Sequence, residues 1–169
     1  MRIIEKNQSI DWLSANGVSV SENIPSFRGF TKIFDSHIPV DSGRKTSISR
    51  ALASQFDTDG ESLLWIHEFG IWPSSEDGNL FERFRRSLGE NRSLKERPGH
   101  IFTRSDLTDV ASLLAMVLYF VWGAILFCPA NDLAVKISHN EYTSIFTRNK
   151  EHGYKVIGEL TKYFAEKKR

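Results

Sequence analysis

The sequence predicts an α+β fold, a single domain in which a mostly antiparallel sheet of about four strands is covered by helices. Three observations carry this. At 169 residues and 40% apolar, the chain is the size of one domain and can bury roughly 70% of its unfolded surface around one core. Its apolar residues recur at helical spacing in some segments and in strand-length runs in others, in the order helix, strand, helix, strand, helix, helix, strand, strand, helix, helix. Two such runs, residues 124–128 and 133–138, are separated only by Pro129 to Asp132, a spacing suited to a hairpin turn.

Taken in order, residues 3–15 predict an amphipathic helix with Ile3, Ile4, Ile10 and Leu13 on its apolar side and Asn16-Gly17 as its stop. A loose stretch with Pro25 and Gly29 follows, so residues 1–29 read as an N-terminal helix and loop, 30–141 as the core and 142–169 as C-terminal helices. "FTKIFDSHIPV" reads as extended, and Asp41 or Ser42 is placed to cap a helix whose apolar side is Ile48, Leu52 and Phe56. "DTDGES" is a turn before the strand "LLWIHEFGIW". Ser74 or Ser75 caps a helix through "LFERFRRSL" that closes at Gly89, and "KERPGH" is a second break. Thr103 and Asp106 resemble a capping box ahead of a long apolar helix. Ser138 and Glu141 spell S-x-x-E, a capping box that leads the second hairpin strand into the C-terminal helices, which Gly153 divides in two.

Charge and cysteine content exclude several function classes. A formal charge of +1, from 22 basic and 21 acidic residues, gives no global field for a polyanion or a membrane surface. A lone cysteine, Cys128, rules out an internal disulfide and a cysteine-rich zinc site, and its apolar strand predicts an inert thiol. Charges at Glu5, Lys6 and Asp11 interrupt the continuous apolar stretch of a signal peptide, so the expected compartment is the cytoplasm. Residues 110–131 carry no charge and are long enough to cross a bilayer, but they read better as a buried helix and strand: Ser105, Asp109, Ser112 and Tyr119 form a polar stripe, and flanking cations are missing. No membrane contact is expected.

The chemistry-bearing residues centre on "LLWIHEFGIWPSSE". Alternation puts His67 on one face with Trp65 and Phe69, and Glu68 on the other with Ile66 and Trp72, so the two point apart within a strand apolar on both faces. A carboxylate there needs a partner or an open end. The structural reading pairs Glu68 with Arg83, Arg85 or Arg104; the functional one places Glu68 in a cleft as a general base, with His100 and Glu76 as further catalytic candidates. Ser75, Ser138 and His139 compete for the same cleft, His139 also fitting a strand-edge histidine. Familiar motifs fail. "DSGRKT" lacks the first glycine of a phosphate loop, Ser42-x-x-Lys45 has no companion motif, and Ile71 stands where the second histidine of H-E-x-x-H belongs. No metal site and no cofactor are expected. Residues 82–97 hold six basic against three acidic side chains, a nucleic-acid option weakened by the helical core side Leu80, Phe81, Phe84 and Leu88.

The stretch "WIHEFGIWPSSEDGNLFERFRRSLGE", followed by "PGHIF" and a long apolar helix ending in Trp122, resembles a bacterial family of small proteins of unassigned function with a W-P-S-x-E core and a P-G-H turn. The likeness extends over about residues 38–141 and implies a bacterial source but no reaction; His67 departs from the small or polar residue the pattern has there. The function expected first is therefore non-catalytic protein binding, of an immunity or adaptor type, with Trp72 and Arg83 as interface anchors and Ser75, Arg85 and His139 around them. A small hydrolase or transferase using Glu68 and His100 is the alternative, and a nucleic-acid adaptor acting through residues 82–97 the third. An exposed apolar patch would also allow a homodimer.

Overall fold

The computed structural model describes residues 1–22, 24–69, 78–93, 96 and 98–164. Among them, β1 (Arg2–Ile4), α1 (Lys6–Ala15), β2 (Ser19–Ser21), β3 (Ile24–Ser26), β4 (Thr31–His37), α2 (Ser42–Ser54) and β5 (Ser62–Glu68) come first. They are followed by α3 (Gly78–Ser87), β6 (Gly99–Phe102), α4 (Leu107–Phe120), β7 (Gly123–Cys128), β8 (Leu133–Ser138), β9 (Tyr142–Thr147) and α5 (Lys150–Phe164). Seven strands form one antiparallel sheet in the order β1-β6-β5-β7-β8-β9-β4, and β2 and β3 form a separate ribbon. The fold is α+β, with seven strands in the sheet rather than about four.

Strand alternation divides the core in two. One face carries Leu64, Ile66, Phe102, Leu126 and Val135, and α2 to α5 cover it with Ile48, Leu52, Phe81, Leu114, Val117 and Leu160. The other carries Leu63, Trp65, Ile125 and Phe127, covered by Leu13 of α1, by Val18 and by Phe27 and Phe30. Strands β5 and β7 are thus buried on both sides, which is why their sequences read as unbroken apolar runs. The sheet's outer strands are protected from pairing: β1 is three residues long, and β4 carries Lys32, Asp35 and a register shift between Lys32 and Phe34.

Local signals were followed wherever no long-range pairing competed. The Asp41 carboxylate accepts a bond of 2.8 Å from the Arg44 N–H and caps α2. Thr103 and Asp106 form the capping box ahead of α4, and Gly17 and Gly89, both at positive φ, follow the helices they stop. The hairpin of β7 and β8 turns through Pro129–Asn131 to Asp132 at φ 51.

Long-range pairing overruled four expectations. Ile3 and Ile4, with Arg2 before them, pair with β6, and α1 starts only at Lys6 instead of at Ile3. "GHIF" is strand β6 rather than a break, so His100 lies opposite Leu64 inside the sheet. Ser138 and Glu141 do not open a helix: the Glu141 N–H bonds the Ser138 carbonyl at 3.0 Å, Glu141 has φ 65, and β9 returns along β8. Residues 142–147 therefore belong to the sheet. Nor does Gly153 divide α5; it sits inside it, where a Cβ would stand 2.6 Å from Ile33 Cδ1 and 2.7 Å from Thr147 Cγ2, so glycine lets the helix meet the sheet edge. No helix among the described residues is long and apolar enough to cross a membrane.

Candidate functional site

Glu68 ends β5, beyond the part of the strand that β6 covers, and there its partner is a residue that no arginine reading named. Glu68 Oε2 and His139 Nδ1 lie 2.9 Å apart, with side chains 34% and 29% exposed. The three expected partners are elsewhere: Arg85 faces Glu90, Arg104 bonds Asp57, and Arg83 is exposed on α3. Glu68 reaches His139 over Gly123, its partner across β5 and β7, where a Cβ would stand 2.4 Å from Glu68 Oε2 and 2.7 Å from Glu68 Cβ. A glycine at the head of β7 is thus the condition for the contact. An ionised carboxylate only accepts, so in that state Nδ1 carries the hydrogen that bonds it, and in the neutral imidazole the lone pair then lies on Nε2.

His100 and Glu68 are not brought together. His100 pairs with Leu64, four residues before Glu68, which at ~3.3 Å per residue leaves them about 13 Å apart along the strand. Instead His100 shares its face with α3 and feels a buried ionic cluster. Arg85 is 1% exposed; its Nη1 donates to the Arg92 carbonyl at 3.1 Å, its guanidinium stands over the Phe81 ring, and its Nη2 is 3.6 Å from Glu90 Oε2. The other Glu90 oxygen accepts from the Arg92 N–H at 2.8 Å and from Arg92 Nε at 3.1 Å. Burial, reinforced by the positive charge of Arg85, pushes the His100 pKa down to about 4, with Glu90 opposing. The Leu64 backbone also pulls upward weakly, but neither ring nitrogen makes a hydrogen bond of ordinary geometry. His100 is therefore a neutral core histidine near neutral pH, and Arg85, expected among the binding residues, is buried.

A third place was not foreseen. Past β4 the chain turns through Ile38, Pro39 and Val40 beside Glu141 and Tyr142, enclosing a cleft of about 570 Å³. Val40 is 93% and Tyr142 38% exposed, and the His37 and Tyr142 rings lie 4.0 Å apart between centroids. Asp35 and Glu141 put carboxylates on the rim, and a hydrogen bond from Ser144 holds the Asp35 pKa below its usual value. The available sequence signal was "HIPV": a proline holds an apolar residue just ahead of the Asp41 cap, where α2 cannot take it into the core.

Trp72, Ser75 and Glu76 lie outside the described residues, as do the two serines expected to cap α3. The 82–97 segment is not one helix: α3 ends at Ser87, and two of its arginines, Arg85 and Arg92, face Glu90. His67 is buried with its ring against Trp65, and Cys128 is buried in β7. Among the described residues no three His, Cys, Asp or Glu side chains group as a metal site. Comparison with family models, with curated proteins and with solved structures returned no match.

Proposed function

We propose that the chain is a non-catalytic protein-binding domain of the immunity or adaptor kind, and that its binding surface is the cleft beside Val40. The observation that carries this is the pair of exposed apolar side chains, Val40 and Tyr142, lining one cleft with the half-buried Pro39. A soluble surface leaves single apolar residues exposed without consequence, but a grouped set with an aromatic member and a polar rim suits the centre of an interface. The carboxylates of Asp35 and Glu141 favour a partner whose apolar anchor is flanked by lysine or arginine. The test is a pull-down of the tagged chain from its own host cells, beside a Val40→Asp variant. At so exposed a position the substitution changes stability by no more than about 0.5 kcal/mol. A stoichiometric protein retained by the native chain and lost from the variant supports the reading. A partner retained by both, a second copy of the chain as the bound species, or no partner at all overturns it.

A second reading rests on the carboxylate-oriented His139. With Glu68 on Nδ1, the free Nε2 suits general-base work in a small hydrolase or transferase, and the pair replaces Glu68 with His100 as the arrangement to test. An activity screen in which Glu68→Gln and His139→Ala fall together supports it; no turnover of any substrate class removes it.

A further inference from the structure

With the cleft beside Val40 taken as the binding surface, on which this rests, we infer that the partner enters it as an extended segment that adds a strand to the free edge of β4 and brings a lysine or arginine to the carboxylates there. β4 is the last strand of the sheet, and among the described residues no strand lies beyond it. Past the register shift its pairing with β9 is regular, with Asp35 opposite Ser144 and His37 opposite Tyr142. The Ile38 N–H bonds the Glu141 carbonyl at 2.7 Å, one position beyond the His37 and Tyr142 pair on each strand. In an antiparallel ladder this makes His37 and Tyr142 a pair without mutual hydrogen bonds, and Asp35 and Ser144, two positions back, another. The N–H and C=O groups of Asp35 and His37 therefore point away from β9, to the open edge. Among the described residues only the His37 carbonyl is engaged, by the Ser36 hydroxyl at 3.4 Å.

The cleft lies along this edge. Residues 35–40 line it in an unbroken run, together with Glu141, Tyr142 and Phe164. Alternation puts His37 and Tyr142 on one face of the sheet and Phe34, whose ring lies 5.0 Å from that of Phe164, on the other. The lining thus comes from both faces, and the cleft wraps the margin of the sheet. A helix seated there would leave the outward amides unpaired, whereas an extended chain pairs them and sends alternate side chains towards the exposed Val40. Charge selects the chain. The lining holds the carboxylates of Asp35 and Glu141 and no lysine or arginine. Lys32 meets Asp35 at 3.3 Å with both groups exposed, a pair that solvent screens and that an incoming cation displaces. The charges and the register shift that keep indiscriminate strands off β4 therefore admit a basic one.

The probe is a phage-displayed library of random dodecapeptides panned on the immobilised full chain, after which the enriched sequence is synthesised and titrated by fluorescence anisotropy. Sequences that join apolar residues to lysine or arginine are expected. His37→Ala keeps the outward N–H and should bind the peptide within about threefold of the native chain. His37→Pro deletes an N–H that no sheet bond uses, on an edge strand where proline is tolerated, and should bind at least about tenfold more weakly than His37→Ala. Should that variant not fold, amide exchange of the native chain decides, because saturating peptide is expected to slow exchange at Asp35 and His37. Loss of binding in Val40→Asp with His37→Pro unaffected, or with those two amides exchanging as before, leaves the cleft as the binding surface and overturns strand addition alone. A peptide indifferent to Val40→Asp overturns the cleft as well. No enriched sequence, an acidic one, or a second copy of the chain on the edge, seen as a dimer by analytical ultracentrifugation, also overturns the inference.

Discussion

Two histidine and glutamate clusters lie at different depths of one sheet, and the same residue types do different things in them. Glu68 and His139 meet at 2.9 Å where β5 outruns its neighbour β6, each about one third exposed. Arg85, Glu90 and His100 lie inside, each at most 3% exposed. At the open end, solvent screens the pair, so holding it together contributes little to stability, and only one ring nitrogen of His139 is used by the carboxylate. In the interior, removing a partner takes a counter-charge from a group that solvent does not screen, and the histidine is driven to its neutral form. Burial, not residue identity, separates a solvent-screened pair from one that the interior must compensate.

That contrast can be broken most severely at Arg85. Arg85→Ala breaks a buried ion pair, leaving Glu90 to Arg92 alone, and should cost about 3–5 kcal/mol in urea-induced unfolding. Next comes pH. His100 has a folded pKa of about 4, below its unfolded value near 6.5, so the unfolded chain takes up the proton first. Stability should therefore fall as pH drops below about 6.5, by on the order of 3 kcal/mol, and the loss should level off near pH 4. Unfolding midpoints across that range would show it, and His100→Leu should flatten this part of the profile.

Smaller effects sharpen the open end. Gly123→Ala places a methyl against Glu68 and should cost about 1–3 kcal/mol while displacing the carboxylate from His139, a change visible in the His139 imidazole resonances. His139→Ala leaves Glu68 with access to water and should cost only about 0.2–1 kcal/mol in the same unfolding assay. A loss of several kcal/mol there would mean that the pair is structural after all.

Parts of both clusters were legible in the sequence. Glu68 in a strand apolar on both faces had to find a partner or an open end, and it has both. Its partner was not legible, because His139 lies 71 residues away and comes into reach only through the β7–β8 hairpin and the missing side chain at Gly123. "PGH" carries the marks of a turn, so local sequence places His100 in a loop, whereas pairing with β5 on one side and β1 on the other makes it a strand residue. Arg85 belongs to a basic run in the sequence, and the helix alone does not show what it packs against.

By itself the sequence determined what adjacent residues settle among themselves: the α+β class, a cap at Asp41 or Ser42, the box at Thr103 and Asp106, the stops at Gly17 and Gly89, and the doubly buried strand β5. These depend on local hydrogen bonds, backbone φ and side-chain periodicity, which act over a few positions. Tertiary structure decided the rest. Ser138-x-x-Glu141 could open a helix or turn a hairpin, and the ladder of β9 along β8 selected the turn. Strand number, the partner of Glu68 and the burial of Arg85 and His100 follow from which distant segments share hydrogen bonds and core surface, and local propensity carries no record of that choice.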